Sequence, residues 1–322
     1  MRNHMFSPEI KKQIKALCVY DNYHAVVALL LNYFLIAAAV YLAEMNLYFL
    51  PITLLVIGSR QRALATLLHE AAHGVLAKNK KLNRLIGEFF SGGLVYQTWS
   101  SYRASHVMAH HHKLGDKDKD PDFQFYLKSG VYESKSRRAF FFQYLVCPIL
   151  FVSSFSSLKY LLVHRLFQDA KAKELAVLLV SHSVLAAVGT YFAGAKFYFL
   201  YWLLPYLTVF QAITWFIELA EHYPIVANAQ SNLYATRNRF SHPVEQVLTG
   251  MHGENFHLIH HLFPSVPFWN MQRAHRILLQ DTEYARINST SGGIFWSANY
   301  AHSMWSTLLR KPKYNFIEEV KS

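Results

Sequence analysis

Histidines in three clusters carry the chemistry of this chain. The first is His69 with His73, in the run HEAAH; the second is His106 followed by His110, His111 and His112; the third is His252, His257, His260 and His261 in HGENFHLIHHLFP. On a helix, residues four apart lie one turn apart on one face, so His69 with His73, and His106 with His110, can each direct two imidazoles at one site. His257, His260 and His261 have the i, i+3, i+4 spacing of a single helical stripe. Imidazole is the commonest side-chain metal ligand and suits iron, copper, zinc and nickel. One tetrahedral zinc takes three or four ligands, and these clusters hold roughly twice that number. More than one ion is expected, with a pair of irons the better fit. The clusters lie far apart in sequence, so only folding brings them together.

Composition sets the elements that must position them. The chain has 322 residues, 52% hydrophobic and 16% charged, with 24 Phe and 20 Tyr. That is richer in apolar and aromatic side chains than an average soluble domain, as in an integral membrane protein. Apolar runs at residues 25–43, 47–66, 175–193 and 197–216 are long enough to cross the hydrocarbon, which needs about 20 residues. A further aromatic run, 139–166, is broken by Pro148, several serines, Lys159 and Arg165, and reads as interfacial or re-entrant. An even number of crossings then puts the third histidine cluster on the side of the first two. The expected fold is all-α, four transmembrane helices in two hairpins with a histidine-rich cap, in a single domain over 1–322. The joins Glu44 to Asn46 and Gly194 to Lys196 are short and nearly uncharged, while the other connecting segments carry the Lys and Arg. Both termini and the cap are therefore expected in the cytoplasm.

The formal charge of +12 suits anionic lipid headgroups or acidic partners, and with so much apolar sequence it does not point to nucleic acid. Cys18 and Cys147 are too few for a disulfide framework and have no CxxC spacing. Residues 7–20 predict a helix lying in the membrane surface, with Ile10, Ile14 and Leu17 on one face and Lys11, Lys12 and Lys15 on the other. The run Asp116, Asp118, Asp120 and Asp122 imitates the start of a calcium loop. It has Pro121 where that loop needs glycine and Leu127 where it needs glutamate, so it reads as a solvated loop. His182, alone in a span, reads as a hydrogen-bonded packing residue.

In order, His69-EAA-His73, His106-VMA-His110-His111 and His257-LI-His260-His261 resemble the three histidine boxes of the membrane fatty acid desaturase and hydroxylase family. Asp120-Pro121-Asp122 after the second box and Leu262-Phe263-Pro264 after the third are similar too. The resemblance runs from about Gly58 to Pro267. It implies a di-iron centre that activates dioxygen and introduces a double bond into a fatty acyl or related lipid chain lying in an apolar tunnel. The implied metal ligands are His69, His73, His106, His110, His111, His257, His260 and His261. A further histidine usually comes from just before the third box, and here that is His222. Glu218, one turn earlier, could ligate directly or through water, and Glu221 is placed to orient a histidine. His252 and Asn255 could hold a water or an imidazole. His112 is an alternative to His110, which the four-residue spacing from His106 favours. No flavin, dinucleotide or haem-domain motif is evident, so electrons come from an external donor such as ferredoxin or a small haem protein.

Two other readings compete. A lipid hydroxylase or ketolase would use the same di-iron scaffold. An intramembrane zinc protease would use His69-Glu70-x-x-His73, with the glutamate activating water, and would leave the other two boxes without a role.

Overall fold

The computed structural model describes residues 1–133, 135–310 and 313–314. Among these residues the only strands are the antiparallel pair Lys135–Ser136 and Lys313–Tyr314. In chain order, the helices that bear on the site are α1 (Pro8–Ala16), α2 (Tyr23–Met45), α3 (Leu50–His73), α4 (Trp99–Tyr102), α5 (Ala172–Ala193), α6 (Gln211–His222), α7 (His257–Leu262) and α8 (Met271–Leu278). After α4 the chain runs on as a π-helix over Arg103–His110.

Three helices are long and apolar enough to cross a membrane: α2, α5 and the stretch Tyr198–Asn228, which contains α6. Residues Arg137–Ile149 and Ser154–Phe167 reach that standard only as a broken pair, so the described residues give three spans, or four if that pair counts as one. The run 47–66 behaves differently from the other apolar runs. It belongs to α3, which is continuous for 24 residues to His73 but includes Arg60, Arg62 and Glu70, and α3 is not among the three.

By its contacts the chain forms two compact units. The first comprises Met1–Val19, Met108–Ile149 and Trp215–Ser322; the second comprises Tyr20–Val107 and Leu150–Thr214.

In the first unit, α1 begins where the Ser7 hydroxyl accepts a hydrogen bond from Ile10 N and Pro8 occupies the first turn, whose missing N–H costs nothing there. Its apolar face does not lie in a membrane surface. Ile10, Ile14 and Leu17 are buried against Leu258 and Ile259 of α7 and Met271, Ala274 and Leu278 of α8. An amphipathic pattern reports only that one face seeks an apolar partner, and here that partner is protein.

In the second unit, α2 and α3 are joined by a short 3-10 turn, Leu47–Phe49, and pack along each other, with Thr53 Oγ1 donating to Ala39 O at 2.9 Å. Further along α3, Gly58 allows close approach: a Cβ there would lie 2.6 Å from the Val209 side chain. The helix stops at Gly74, whose φ of +78° is the left-handed conformation that glycine adopts without penalty. The orphaned carbonyls of its last turn find donors. Asn83 Nδ2 donates to Ala71 O at 2.8 Å, Lys80 Nζ to Gly74 O at 2.8 Å, and Arg103 Nη1 to Ala72 O. Two cations thus stand at the negative end of the helix dipole. His69 and His73 therefore project from a helix end whose terminal carbonyls are largely satisfied.

Candidate metal centre

The second unit brings His69, His73 and His106 together. Ring centroids lie 4.9 Å apart for His69 and His73, 4.9 Å for His69 and His106, and 6.0 Å for His73 and His106. Their ligand nitrogens fall within 4.8 Å of one another. Glu70 is buried, and its Oε1 lies 3.3 Å from Nδ1 of His69. It therefore sits beside a candidate ligand's rear nitrogen.

The first unit assembles a second group: His110, His222, His257 and His261, again with ligand nitrogens within 4.8 Å. Nε2 of His257 is 2.9 Å from Nε2 of His222 and 3.0 Å from Nε2 of His261. With metal–imidazole bonds of ~2.1 Å, two nitrogens at right angles on one ion stand ~3.0 Å apart, so the spacing fits a shared cation. The same unit pairs His111 with His260, Nε2 to Nε2 at 3.1 Å.

Local sequence explains how α7 presents its ligands. Leu258 and Ile259 are fully buried in the core that α1 and α8 complete, which turns His257, His260 and His261 the other way. The three do not share one target, however. His257 and His261, four apart, enter the four-imidazole group, while His260 is paired with His111. The second box contributes to both groups: His106 is grouped with His69 and His73, and His110 with His222, His257 and His261. The stretch that carries them is π-helical, a wider turn common at functional sites.

Supporting carboxylates fix ring orientation. Asp120 is fully buried and caps the helix Pro121–Lys128, accepting from Asp122 N and Phe123 N; it also lies 3.0 Å from His110 Nδ1. Asp122 Oδ2 lies 3.4 Å from the same nitrogen. Burial lowers the His110 pKa, but Asp120 and Asp122 outweigh it and hold it at about 9. His261 is driven the other way, well below the ordinary value, by burial and by the imidazoles of His111, His257, His110 and His222. The solvated-loop reading of the aspartate run is thus wrong for its second half. Asp116 and Asp118 remain at the loop, while Asp120 and Asp122 turn inward because Pro121 starts a helix between them.

Glu221 is fully buried and bridges two partners. Its Oε2 lies 3.2 Å from His257 Nδ1, and its Oε1 accepts from Arg239 Nε at 3.0 Å. Arg239 also donates to Thr249 Oγ1 and Thr249 O, and its backbone exchanges two hydrogen bonds with Asn255, at 2.7 and 3.2 Å. Asn255 is therefore turned toward Arg239's main chain. Glu218 groups with Glu221 and His222. His112 is exposed and His252 packs at 5.3 Å on Phe268; among the described residues neither joins a ligand group. His182 is stacked on Tyr96 at 4.3 Å and bonded to Tyr198 OH at 3.0 Å, as a packing residue would be. Arg239 is a site-supporting residue that motif reading passed over, and Asp120 and Asp122, noted as part of the resemblance, were given no role beside a histidine. The Asp-Pro-Asp run itself held the only signal, a helix start close behind the second box.

Histidine clusters able to hold metal ions, in a chain with apolar helices long enough to span a membrane, are the features of a desaturase-type membrane enzyme. A family model for fatty acid desaturases matches residues 45–291, and the chain belongs to that family. It is an oxidoreductase. The match spans all three boxes, where a zinc protease would employ one. Over 302 residues the chain is 37% identical to the dihydrorhizobitoxine desaturase of Bradyrhizobium elkanii, covering 90% of this chain and 85% of that protein. It is also similar, at 24% identity over 249 residues, to the sn-1 oleoyl-lipid 12-desaturase of Anabaena variabilis, covering 71% and 68%.

Proposed function

We propose that the protein is a dioxygen-dependent di-iron desaturase that introduces a double bond into a fatty acyl or related lipid chain, with electrons from an external donor such as ferredoxin or a small haem protein. The convergence of His110, His222, His257 and His261 on one point carries this reading. In it, these four imidazoles hold one iron, and His69, His73 and His106 supply ligands to the other, with His111 and His260 as the remaining box ligands. The irons, when bound, supply the activation of dioxygen and the removal of hydrogen from an unactivated C–H bond.

The chain's own residues orient the ligands and protect them. Asp120 and Asp122 hold Nδ1 of His110, and Glu221 holds Nδ1 of His257, which leaves each Nε2 to face the cation. Every ligand in the set is an imidazole, which withstands oxidising conditions that would convert a thiolate to sulfenic acid. Glu218 is a further carboxylate available to the His222 side, directly or through water. The cytoplasmic placement of the histidines and both termini belongs to the same reading, from the distribution of Lys and Arg.

Expression in a lipid-producing host followed by mass spectrometry tests it. Products two mass units lighter than host lipids, with about two irons per chain, are expected. Products sixteen units heavier would reassign the protein as a hydroxylase, and one zinc per chain in place of iron would overturn the metal assignment.

A further inference from the structure

A cavity lies in the first unit beside residues 236, 237 and 239. It has a volume of about 220 Å³, and its lining includes Thr236, Arg237, Arg239, Ser291, His302 and Thr307. The volume is small for an acyl chain, and the lining is mixed, with hydroxyl, imidazole and guanidinium groups set among apolar residues such as Ile225, Ile287 and Met304.

The two arginines differ. Arg239 is neutralised by Glu221 and satisfied by Thr249. Arg237 donates one hydrogen bond, from Nη2 to Tyr223 O at 2.7 Å, and among the described residues no carboxylate lies within ion-pair distance of it. A guanidinium has five N–H donors in a rigid fork, so most of this one's capacity is unspent. Burial pulls its pKa down, to about 10, so it keeps its charge at neutral pH. A largely buried cation without a counter-ion is costly.

A second observation points the same way. The Thr236 hydroxyl is fully buried, yet among the described residues it has no hydrogen-bond partner.

We propose that this cavity is an anion-binding site, in which Arg237 and Thr236 take a carboxylate or phosphate group of a small ligand. The pairing is the one a guanidinium fork makes best, two parallel N–H···O bonds, with the hydroxyl as a third donor. Arg237 N donates to Glu221 O, which ties the cavity wall to the main chain of the residue whose carboxylate lies beside His257.

The test uses full-length, iron-loaded protein in detergent, titrated separately with inorganic phosphate and with acetate at constant ionic strength set by chloride. Saturable binding of at least one, seen by calorimetry and by a rise in melting temperature, is expected; which of the two binds identifies the group. Arg237→Gln should weaken it about tenfold or more, Arg237→Lys should weaken it less, and Thr236→Val, nearly isosteric, should weaken it measurably. Absence of saturable binding by either anion overturns the proposal. So does unchanged affinity in Thr236→Val, or in an Arg237→Gln protein that retains its iron. If Arg237→Gln does not fold, the wild-type titrations and Thr236→Val decide.

Discussion

Replacing Glu221 by Gln separates its two duties, since one carboxylate oxygen lies 3.2 Å from His257 Nδ1 and the other accepts from Arg239 at 3.0 Å. Loss of such an orienting partner typically weakens metal binding ~10- to 100-fold, or ~1.4–2.7 kcal/mol at ~1.36 kcal/mol per decade. The folding effect is separate and larger. Removing one member of a fully buried ion pair costs ~3–5 kcal/mol because the other charge stays behind, and the bonds from Arg239 to Thr249 place this case at the lower end. Glu221→Gln should therefore lose one of its irons in competition with a chelator and melt at a lower temperature. The double variant Glu221→Gln/Arg239→Met should recover much of the melting temperature without recovering the iron. Metal analysis after graded chelation, alongside thermal unfolding, reads both quantities. Wild-type iron retention by Glu221→Gln would refute the orienting role, and a double variant that regains iron would show that charge balance alone matters.

Three further outcomes follow from the geometry. His261→Ala should lose iron and activity while His112→Ala keeps both, because His261 lies in the four-imidazole group and His112 is exposed; equal losses in metal analysis would contradict this. Asn83→Ala leaves Ala71 O and Ala77 N without their partner and should cost ~1–3 kcal/mol of stability, read as a lower melting temperature; no change would mean water replaces the amide. Burial lowers the pKa of His275, whose ring packs beside Phe240, Phe256 and Tyr284. The unfolded chain then takes up the proton first, so this contribution is present above about pH 6.5 and is lost as pH falls through that value. His275→Gln should flatten the acid limb of a melting-temperature profile, and an unchanged slope would assign the acid sensitivity elsewhere.

Much of the site was legible because ligand type and helical spacing are local properties. His69 and His73 needed only a continuous helix, and Gly74 marks where it ends. The alternation in HLIHHL foretold one polar and one apolar face. What it could not foretell was that His260 and His261, a hundred degrees apart on a helix, answer to different partners. The pitch of the second box was hidden as well, since nothing in RASHVMAH announces a π-helix. Arg239 escaped because its role comes from contacts between distant segments, while Asp120 and Asp122 lie near the second box but sit in a charged stretch that looks solvated until the helix starting at Pro121 turns them inward. The same blindness affected α1, whose apolar face pointed to a bilayer when the true partner was the back of the third box. In α3, the apolar start pointed to a span, but Arg60, Arg62 and Glu70 further along leave it outside the helices apolar enough to cross a membrane.

The packing of α1 carries a practical consequence. Phe6, Ile10, Ile14 and Leu17 line the core from which Leu258 and Ile259 emerge, and Asn270 Nδ2 clasps Leu17 O at 2.8 Å. Residues 6–17 are thus a wedge behind α7, the helix that carries the third histidine box. An expression design that trims them, or fuses a bulky tag directly onto them, would loosen His257, His260 and His261 from the rear, and the damage would surface as poor metal loading in a protein whose histidines are all intact.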